Sequence, residues 1–430
     1  MPLPSALAPF RIRSYRFQWP ADLAVSWAFE METLILGWYV LVETGSVLLL
    51  TIYGALLYGG TLIAPMIGVA SDRIGHRYLL SGMRAIYAMV AAVLMVLAFT
   101  GVLNPMLVLV MAAVSGLVRP SDMGLRGALV AETMPGSMLT GAMSFSRTTS
   151  DTARIFGALM GAGLFAAFGM GPAYIAITIL YALGSLLTWC AVQAGPETAE
   201  PPVVTAEAAV SASTLGQSTL AQSTWTDLRE GVVHIWNTPS LLAIVWLALL
   251  FNLTAFPLTN GLLPYVAKEI YRIDQTGLGY LVASLAFGAL LGALVMTWFG
   301  SGVRLSRLMF ISAVVWHVLL LLFAQMHDLR GGIVMLFLAG VTQSLTMVCH
   351  TVILLRTSTQ RFRGRVMGVR MLAIYSLPLG LLIAGALIER IGFRLTATLF
   401  AGTGLLFTVL IAMKWRTFLA QAEAAEKSPA

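Results

Sequence analysis

The chain has 430 residues, of which 58% are hydrophobic and only 10% charged, with a mean hydropathy of +0.86. One soluble core cannot hide that much apolar surface, so the composition excludes a soluble globular protein and implies an all-α integral membrane protein. The net charge of +7 comes from Lys and Arg gathered between apolar runs, with no basic stripe interleaved with base-stacking aromatics. It suits an anionic lipid surface, and no nucleic-acid partner is expected.

A helix needs about 20 residues to cross about 30 Å of hydrocarbon. Six apolar runs of that size precede the middle of the chain, near residues 17–41, 46–69, 79–101, 104–128, 141–166 and 171–193. Six more follow near 240–264, 276–299, 307–326, 331–355, 366–388 and 395–413. The pattern predicts twelve transmembrane helices in two six-helix bundles, residues 1–194 and 240–416, joined by a linker over 195–239 and ending in a tail over 417–430. Arg11, Arg13 and Arg16 precede the first run without a small-residue cleavage site, so the N-terminus is expected to be cytoplasmic and retained. The loops on that side then hold Arg73, Arg77 and Arg84, Arg304 and Arg307, Arg356, Arg361, Arg363 and Arg365, and Lys414 and Arg416. The opposite side holds only Lys268, Arg272, Arg330, Arg390 and Arg394, an asymmetry that puts both termini in the cytoplasm.

The first run carries Asp22, Glu30 and Glu32. A charge at the centre of a bilayer costs about 2.5–3.5 kcal/mol or more, which makes each acid a functional candidate. Residues eight apart on a helix differ by about 80° in direction and about 12 Å in height, so Asp22 and Glu30 can look into one cavity at two depths. Glu32, about 200° from Glu30, is expected to face a neighbouring helix or the outer vestibule.

Between the second and third runs lies Gly68-Val69-Ala70-Ser71-Asp72-Arg73-Ile74-Gly75-His76-Arg77, which reads G-x-x-x-D-R-x-G-x-R. Gly68 and Gly75 permit a tight reversal, Asp72 can meet helix N-terminal N–H groups, and Arg73 and Arg77 hold the hinge at the anionic face. This stretch resembles the signature of the major facilitator superfamily in the loop between its second and third helices. The resemblance implies two bundles that rock about a central site. It further implies a conformational switch in which Asp72 docks on the cytoplasmic start of helix eleven while Arg73 and Arg77 complete the charge network. An ordinary positive-inside turn is the plainer reading of the same arginines.

The fourth run contains Arg119-Pro120-Ser121-Asp122-Met123-Gly124, which loosely matches the superfamily's helix-four motif of an arginine, a polar residue and a glycine, with one extra residue before the glycine. Acids in helix one with Arg119 in helix four are similar to the pattern in proton-coupled multidrug exporters. A carboxylate taken out of water holds a proton more readily, and a nearby arginine or a cationic substrate expels it. Alternatively Arg119 and Asp122, three apart, form an internal ion pair that fixes packing. The fifth run places Arg147, Asp151 and Arg154 within a sector of about 60° on one helix face. Arg154 is the expected partner of Glu30 or Glu32, and the trio reads either as transport machinery or as a structural lock. The glycines of Gly157-Ala158-Leu159-Met160-Gly161-Ala162-Gly163 allow close helix contact, while the proline of the family's antiporter motif is missing.

Residues 195–224, opening Ala-Gly-Pro-Glu-Thr-Ala-Glu-Pro-Pro once past Gln193, have too little apolar surface to offset ordering and read as linker. Trp225, Leu228, Val232, Ile235 and Trp236 then recur at helical spacing beside Asp227, Arg229 and Glu230, which suggests a short amphipathic surface helix. In the second half, Gly300-Ser301-Gly302-Val303-Arg304-Leu305-Ser306-Arg307 is a decayed counterpart of the opening motif without the carboxylate. The loop Arg361-Phe362-Arg363-Gly364-Arg365-Val366-Met367-Gly368 and the phrase Asp151-Thr152-Ala153-Arg154-Ile155-Phe156-Gly157 resemble the superfamily's bacterial exporters related to enterobactin and macrolide efflux proteins. That likeness implies a bacterial inner-membrane location.

The second half is poorer in charge, with Asn252 and Asn260 in the seventh run, His317 in the ninth, Gln343 and His350 in the tenth, and Tyr375 and Pro378 in the eleventh. A neutral wall opposite a charged one suits an amphipathic organic molecule better than a sugar. The expected substrate site combines Glu30, Arg119, Arg154, Asn252, Gln343 and Tyr375; the expected proton-coupling groups are Asp22, Glu30 and Glu32; the switch comprises Gly68, Asp72, Arg73, Gly75, Arg77 and Asp151. Cys190 and Cys349 lie far apart in apolar runs, none of the three lysines completes a phosphate-binding loop, and the five histidines lack ligand spacing. No metal, no cofactor and no enzymatic activity is therefore expected. The reading is a monomeric secondary transporter that exports a small amphipathic compound, drug-like or siderophore, in exchange for protons, with lipids as its surroundings. Its rivals are an importer or facilitator of an anionic small molecule held by Arg119, Arg147 and Arg154, and a non-transporting sensor that has kept the fold.

Overall fold

A computed structural model describes residues 5–62, 64–191, 230, 232–299, 303–357, 373 and 375–427. Among the described residues there are helices and no strands. The first unit, Met1–Gly45 with Leu56–Gly216, is built on α1 (Arg13–Thr44), α3 (Ala64–Ile74), α4 (His76–Thr100), α5 (Pro105–Thr133), α6 (Gly136–Phe168) and α7 (Met170–Cys190). The second, Ser46–Ala55 with Gln217–Ala430, takes in α2 (Val47–Leu56), α8 (Pro239–Thr254), α9 (Gln275–Phe299), α10 (Leu305–Phe323), α11 (Leu329–Thr357), α12 (Ser376–Ile391) and α13 (Phe393–Lys427).

Among the described residues, nine helices are long and apolar enough to cross a membrane. Three of the twelve expected runs fall short of that standard, each for its own reason. The second run divides: α2 ends at Leu56, a 3-10 turn follows over Gly59–Leu62, and α3 begins at Ala64. Close crossing by α5 explains the break, since a Cβ on Gly60 would lie 2.0 Å from the Leu117 carbonyl oxygen and one on Gly116 2.0 Å from that of Leu56. The fifth run is helical over all of α6, but its Ser, Thr and charged residues keep it from being a purely apolar span. For the eleventh, α12 is described only from Ser376.

In the first unit α1 is the central post, packed against α5, α6 and α7. Gly157 and Gly161 let α6 approach it: a Cβ at Gly157 would lie 2.8 Å from Glu30 Cβ, and one at Gly161 2.9 Å from Met31 Cα. Phe29, Tyr87 and Tyr181 form an aromatic cluster between α1, α4 and α7, with ring centroids 4.9–5.6 Å apart.

The polar stretch expected to be a hinge is mostly helix. The α3 helix runs through Asp72 and Arg73 to Ile74, and α4 begins at His76. Gly75 alone makes the turn, at φ 93° and ψ 135°, a backbone region that only glycine enters cheaply.

The seventh run also departs from a plain helix. Past Thr254 it widens into π-helical turns over Pro257–Gly261 and Val266–Ile270, beyond the expected end at 264. Pro257 and Pro264 lack N–H groups, which interrupts the ordinary bonding ladder. Of the expected surface helix, Val232, Ile235 and Trp236 are helical, with Ile235 buried and Trp236 exposed; Trp225, Asp227, Leu228 and Arg229 lie outside the described residues. So do Gly300–Gly302, the motif from Arg361 to Gly368, and the side chains of Asp72, Arg147 and Arg356.

Candidate functional site

Helix α1 presents a polar residue every fourth position: Ser14, Gln18, Asp22, Ser26 and Glu30. Each step rises about 6 Å and turns about 40°, so the row winds slowly around the helix. From Gln18 upward, the neighbouring helices answer each of them with a polar or charged group.

Near the lower end, Gln18 Nε2 donates to Ser14 Oγ at 2.7 Å and to Thr133 Oγ1 at 2.9 Å. One turn on, Asp22 is 4% exposed and sits in a cluster of buried charges. Arg84 Nη2 lies 2.5 Å from Asp22 Oδ1, Arg84 Nε 3.4 Å from Asp122 Oδ1, and Arg84 Nη1 2.5 Å from Thr188 Oγ1. A single guanidinium thus joins α1, α4, α5 and α7. Arg126 Nε stands 3.7 Å from Asp22 Oδ2, while its Nη1 donates to Ser26 Oγ at 3.2 Å and its Nη2 to Ser150 Oγ at 3.0 Å. Two carboxylates balance two guanidiniums, the matched and hydrogen-bonded condition under which buried charge is tolerated.

Two expectations are corrected here. Arg84 is not a cytoplasmic-loop residue: it is 0% exposed, and its stem carries the charge inward from α4. Nor is Asp122 shown paired with Arg119. Asp122 faces Arg84, whereas Arg119 lies over the Phe29 ring, 4.4 Å from its centroid, and donates to Thr33 Oγ1 at 3.1 Å.

At the next level Glu30 Oε1 lies 3.8 Å from Arg154 Nε, with the two side chains 27% and 34% exposed. Glu32, by contrast, is buried and accepts a 2.6 Å hydrogen bond from the Tyr181 hydroxyl. Asp22 and Glu30, two turns apart on α1, therefore do not share an environment. Of the three candidate acids, Asp22, Glu30 and Glu32, Glu30 keeps by far the most exposure; Glu43, close to the end of α1, is exposed outright.

Asp151 is half-buried on α6. Gly68 lies within α3, and Arg73 is exposed. Arg77 Nη1 donates to the Ala191 carbonyl at 2.6 Å, and its guanidinium stacks on Tyr78 and Trp189, which caps the end of α7. His76 Nδ1 is 2.8 Å from Glu132 Oε1 at the close of α5.

The second unit carries neutral groups. Asn252 turns its amide back to the Ala248 carbonyl at 2.9 Å, and Tyr375 stands just before α12. Gln343 is 6% exposed, and its Oε1 has no hydrogen-bond partner among the described residues. His317 Nδ1 donates to the Ala313 carbonyl at 2.8 Å with Thr254 Oγ1 3.4 Å from Nε2, and His350 Nε2 meets the Ile244 carbonyl at 2.9 Å. Among the described residues no three His, Cys, Asp or Glu converge as metal ligands would.

Sequence reasoning missed Arg84, Arg126 and Tyr181. For the two arginines the four-residue polar period on α1 was the available signal, because each buried polar group on it requires a partner.

The profile of the Major Facilitator Superfamily matches residues 23–259 and again 245–429. No curated protein matches the chain. Among solved structures, a mutant form of the nucleoside transporter NupG is similar at a TM-score of 0.68 and 13% identity, covering 94% of this chain and 100% of that one. The POT family transporter PepTSo is similar at 0.71 and 13%, with coverage of 95% and 99%. The human organic anion transporter MFSD10 (TETRAN) is similar at 0.60 and 16%, with coverage of 94% and 99%. Identities this low speak to fold alone. The profile covers nearly the whole chain, and on that ground the chain belongs to the Major Facilitator Superfamily and is a multi-pass membrane transporter.

Proposed function

We propose that the chain is a proton-coupled exporter of a small amphipathic organic compound, working by alternating access, with Glu30 as its proton site and Arg154 as the partner that competes with the proton. The observation that carries this reading is the 3.8 Å separation of Glu30 and Arg154, both partly exposed, beside acids that are buried. A loosely held, reachable carboxylate can exchange a proton; Asp22, clasped by two guanidiniums, has the geometry of a brace. We assign Glu32 to the same bracing role through Tyr181. One proton moving inward across about 100 mV supplies about 2.3 kcal/mol, enough to drive uphill export of a modest gradient.

In this reading Arg119, Asn252, Gln343 and Tyr375 contribute to substrate recognition. Gly68, Asp72, Arg73, Gly75, Arg77 and Asp151 form the conformational switch. Both termini are cytoplasmic, and the protein works as a monomer in a bacterial inner membrane. The test is reconstitution into liposomes holding a pH-sensitive dye, with lipophilic cations, macrolides and siderophores offered to the parent and to Glu30→Gln. Loss of proton movement in the variant supports the assignment; proton coupling equal to the parent's defeats it.

A second reading, an importer of organic anions, is favoured by the 34% exposure of Arg154. Protonating Glu30 would loosen its hold on that guanidinium, so an anion would enter together with the proton. The sign of the pH effect separates the two. A cationic export substrate binds more tightly as pH rises, and an anion more tightly as pH falls.

A further inference from the structure

The contacts between α1 and α6 advance in step along both helices. Tyr15 Oη donates to the Ala142 carbonyl at 3.1 Å, Trp19 Nε1 to Thr149 Oγ1 at 2.9 Å, Arg126 joins Ser26 to Ser150, and Glu30 meets Arg154. Higher still, Gly161 rests on Met31. Residue numbers rise together on the two helices, so α1 and α6 run parallel, and each contact fixes the register of the next. Ser26 lies one turn before Glu30 on α1, and Ser150 one turn before Arg154 on α6. Arg126, reaching across from α5, grips both helices a single turn below the exposed pair.

Arg126 is itself anchored from behind by Asp22, 3.7 Å away, and Asp22 by the fully buried Arg84. A guanidinium has a planar fork of donors in fixed directions, which sets two hydroxyls at a defined separation in a way that a flexible ammonium does not. With a gap of 3.8 Å, the Glu30–Arg154 contact is sensitive to sliding. A slip of about 1.5 Å, one residue's rise, would open or tighten it decisively.

We propose that Arg126 is a positioning residue for proton coupling. Together with Ser26 and Ser150 it sets the register of α1 against α6, and through that register it sets how closely Arg154 approaches Glu30 and how readily Glu30 takes a proton. This rests on the reading of Glu30 as the proton site.

The test reads Glu30 directly and needs no substrate. Infrared difference spectra of the purified full-length protein are recorded against pH, following the C=O stretch of the neutral carboxyl group that disappears in Glu30→Gln. Two charge-conserving variants, Ser150→Ala and Arg126→Lys, change the clamp without changing the net charge near Glu30. Each is expected to move the half-point of the band to higher pH by at least one unit, about tenfold in proton affinity, because Arg154 no longer stands where it stabilises the carboxylate. Thr188→Ala removes a hydrogen bond from Arg84 without touching α6, and it is expected to leave the half-point in place. A band lost in Glu30→Gln but unmoved in Ser150→Ala and Arg126→Lys overturns the positioning role alone, as does an equal shift in Thr188→Ala. A band that persists in Glu30→Gln overturns the proton-site reading, and this proposal with it.

Discussion

The interiors of the two units are held together by different chemistry. Around α1, four ionisable side chains, Asp22, Arg84, Asp122 and Arg126, are buried against one another. Around α10 and α11 the buried polar contacts are neutral, such as Thr346 Oγ1 donating to Ser312 Oγ at 2.9 Å and His317 bonded to its own helix. A charge left without its partner in a dry interior costs several times what a lost neutral hydrogen bond does. The first unit should therefore be brittle toward single polar substitutions and the second forgiving.

The sharpest way to break that comparison is Arg84→Met. It strands Asp122, leaves Asp22 with Arg126 alone, and is expected to cost about 3–5 kcal/mol, read as a fall in the thermal unfolding midpoint in detergent. Adding Asp122→Asn to Arg84→Met should recover part of the loss, because the stranded charge is gone. A double-mutant cycle with no coupling would refute the pairing. Next in size is Tyr181→Phe, which leaves the buried Glu32 carboxylate without its hydroxyl donor, at about 1.5–3 kcal/mol. Gly157→Ala presses a methyl group onto Glu30 Cβ and the Trp27 carbonyl and should cost about 1–3 kcal/mol, with an altered pH profile of transport as its second signature.

The second unit supplies the small effects. Thr346→Val breaks the bond to Ser312 and should cost about 0.5–1.5 kcal/mol. Gln343→Leu removes an acceptor without a protein partner among the described residues, and its midpoint should stay within about 1 kcal/mol of the parent's or rise. Should Gln343→Leu prove as damaging as Arg84→Met, the contrast between the units would be lost.

How much of this was legible beforehand follows the same physics. Glu30 and Arg154 could be named from the sequence because a charge inside an apolar run is conspicuous. Gly157 and Gly161 announced close helix contact for a similar reason, being small residues four apart. Arg84 was hidden by its address: it follows the arginine-rich motif so closely that it reads as one more cation of that loop, although the third apolar run already contains it. Its true place depends on which way α4 turns it, and period alone does not tell which neighbour a helix face meets. Tyr181 gave no signal at all, since an aromatic in an apolar run looks the same whether or not its hydroxyl binds an acid. The widened turns after Thr254 could have been read from Pro257 and Pro264, whose missing N–H groups are written in the sequence.

Gly75 has a mechanical consequence. Because one residue separates α3 from α4, the joint has almost no slack: it works as a crank rather than a cord. A twist imposed on α3 passes straight into α4, and about 13 Å along α4 it arrives at Arg84, the guanidinium on which four helices converge. Movement of the α3–α4 joint would thereby reach the buried charges of the first unit.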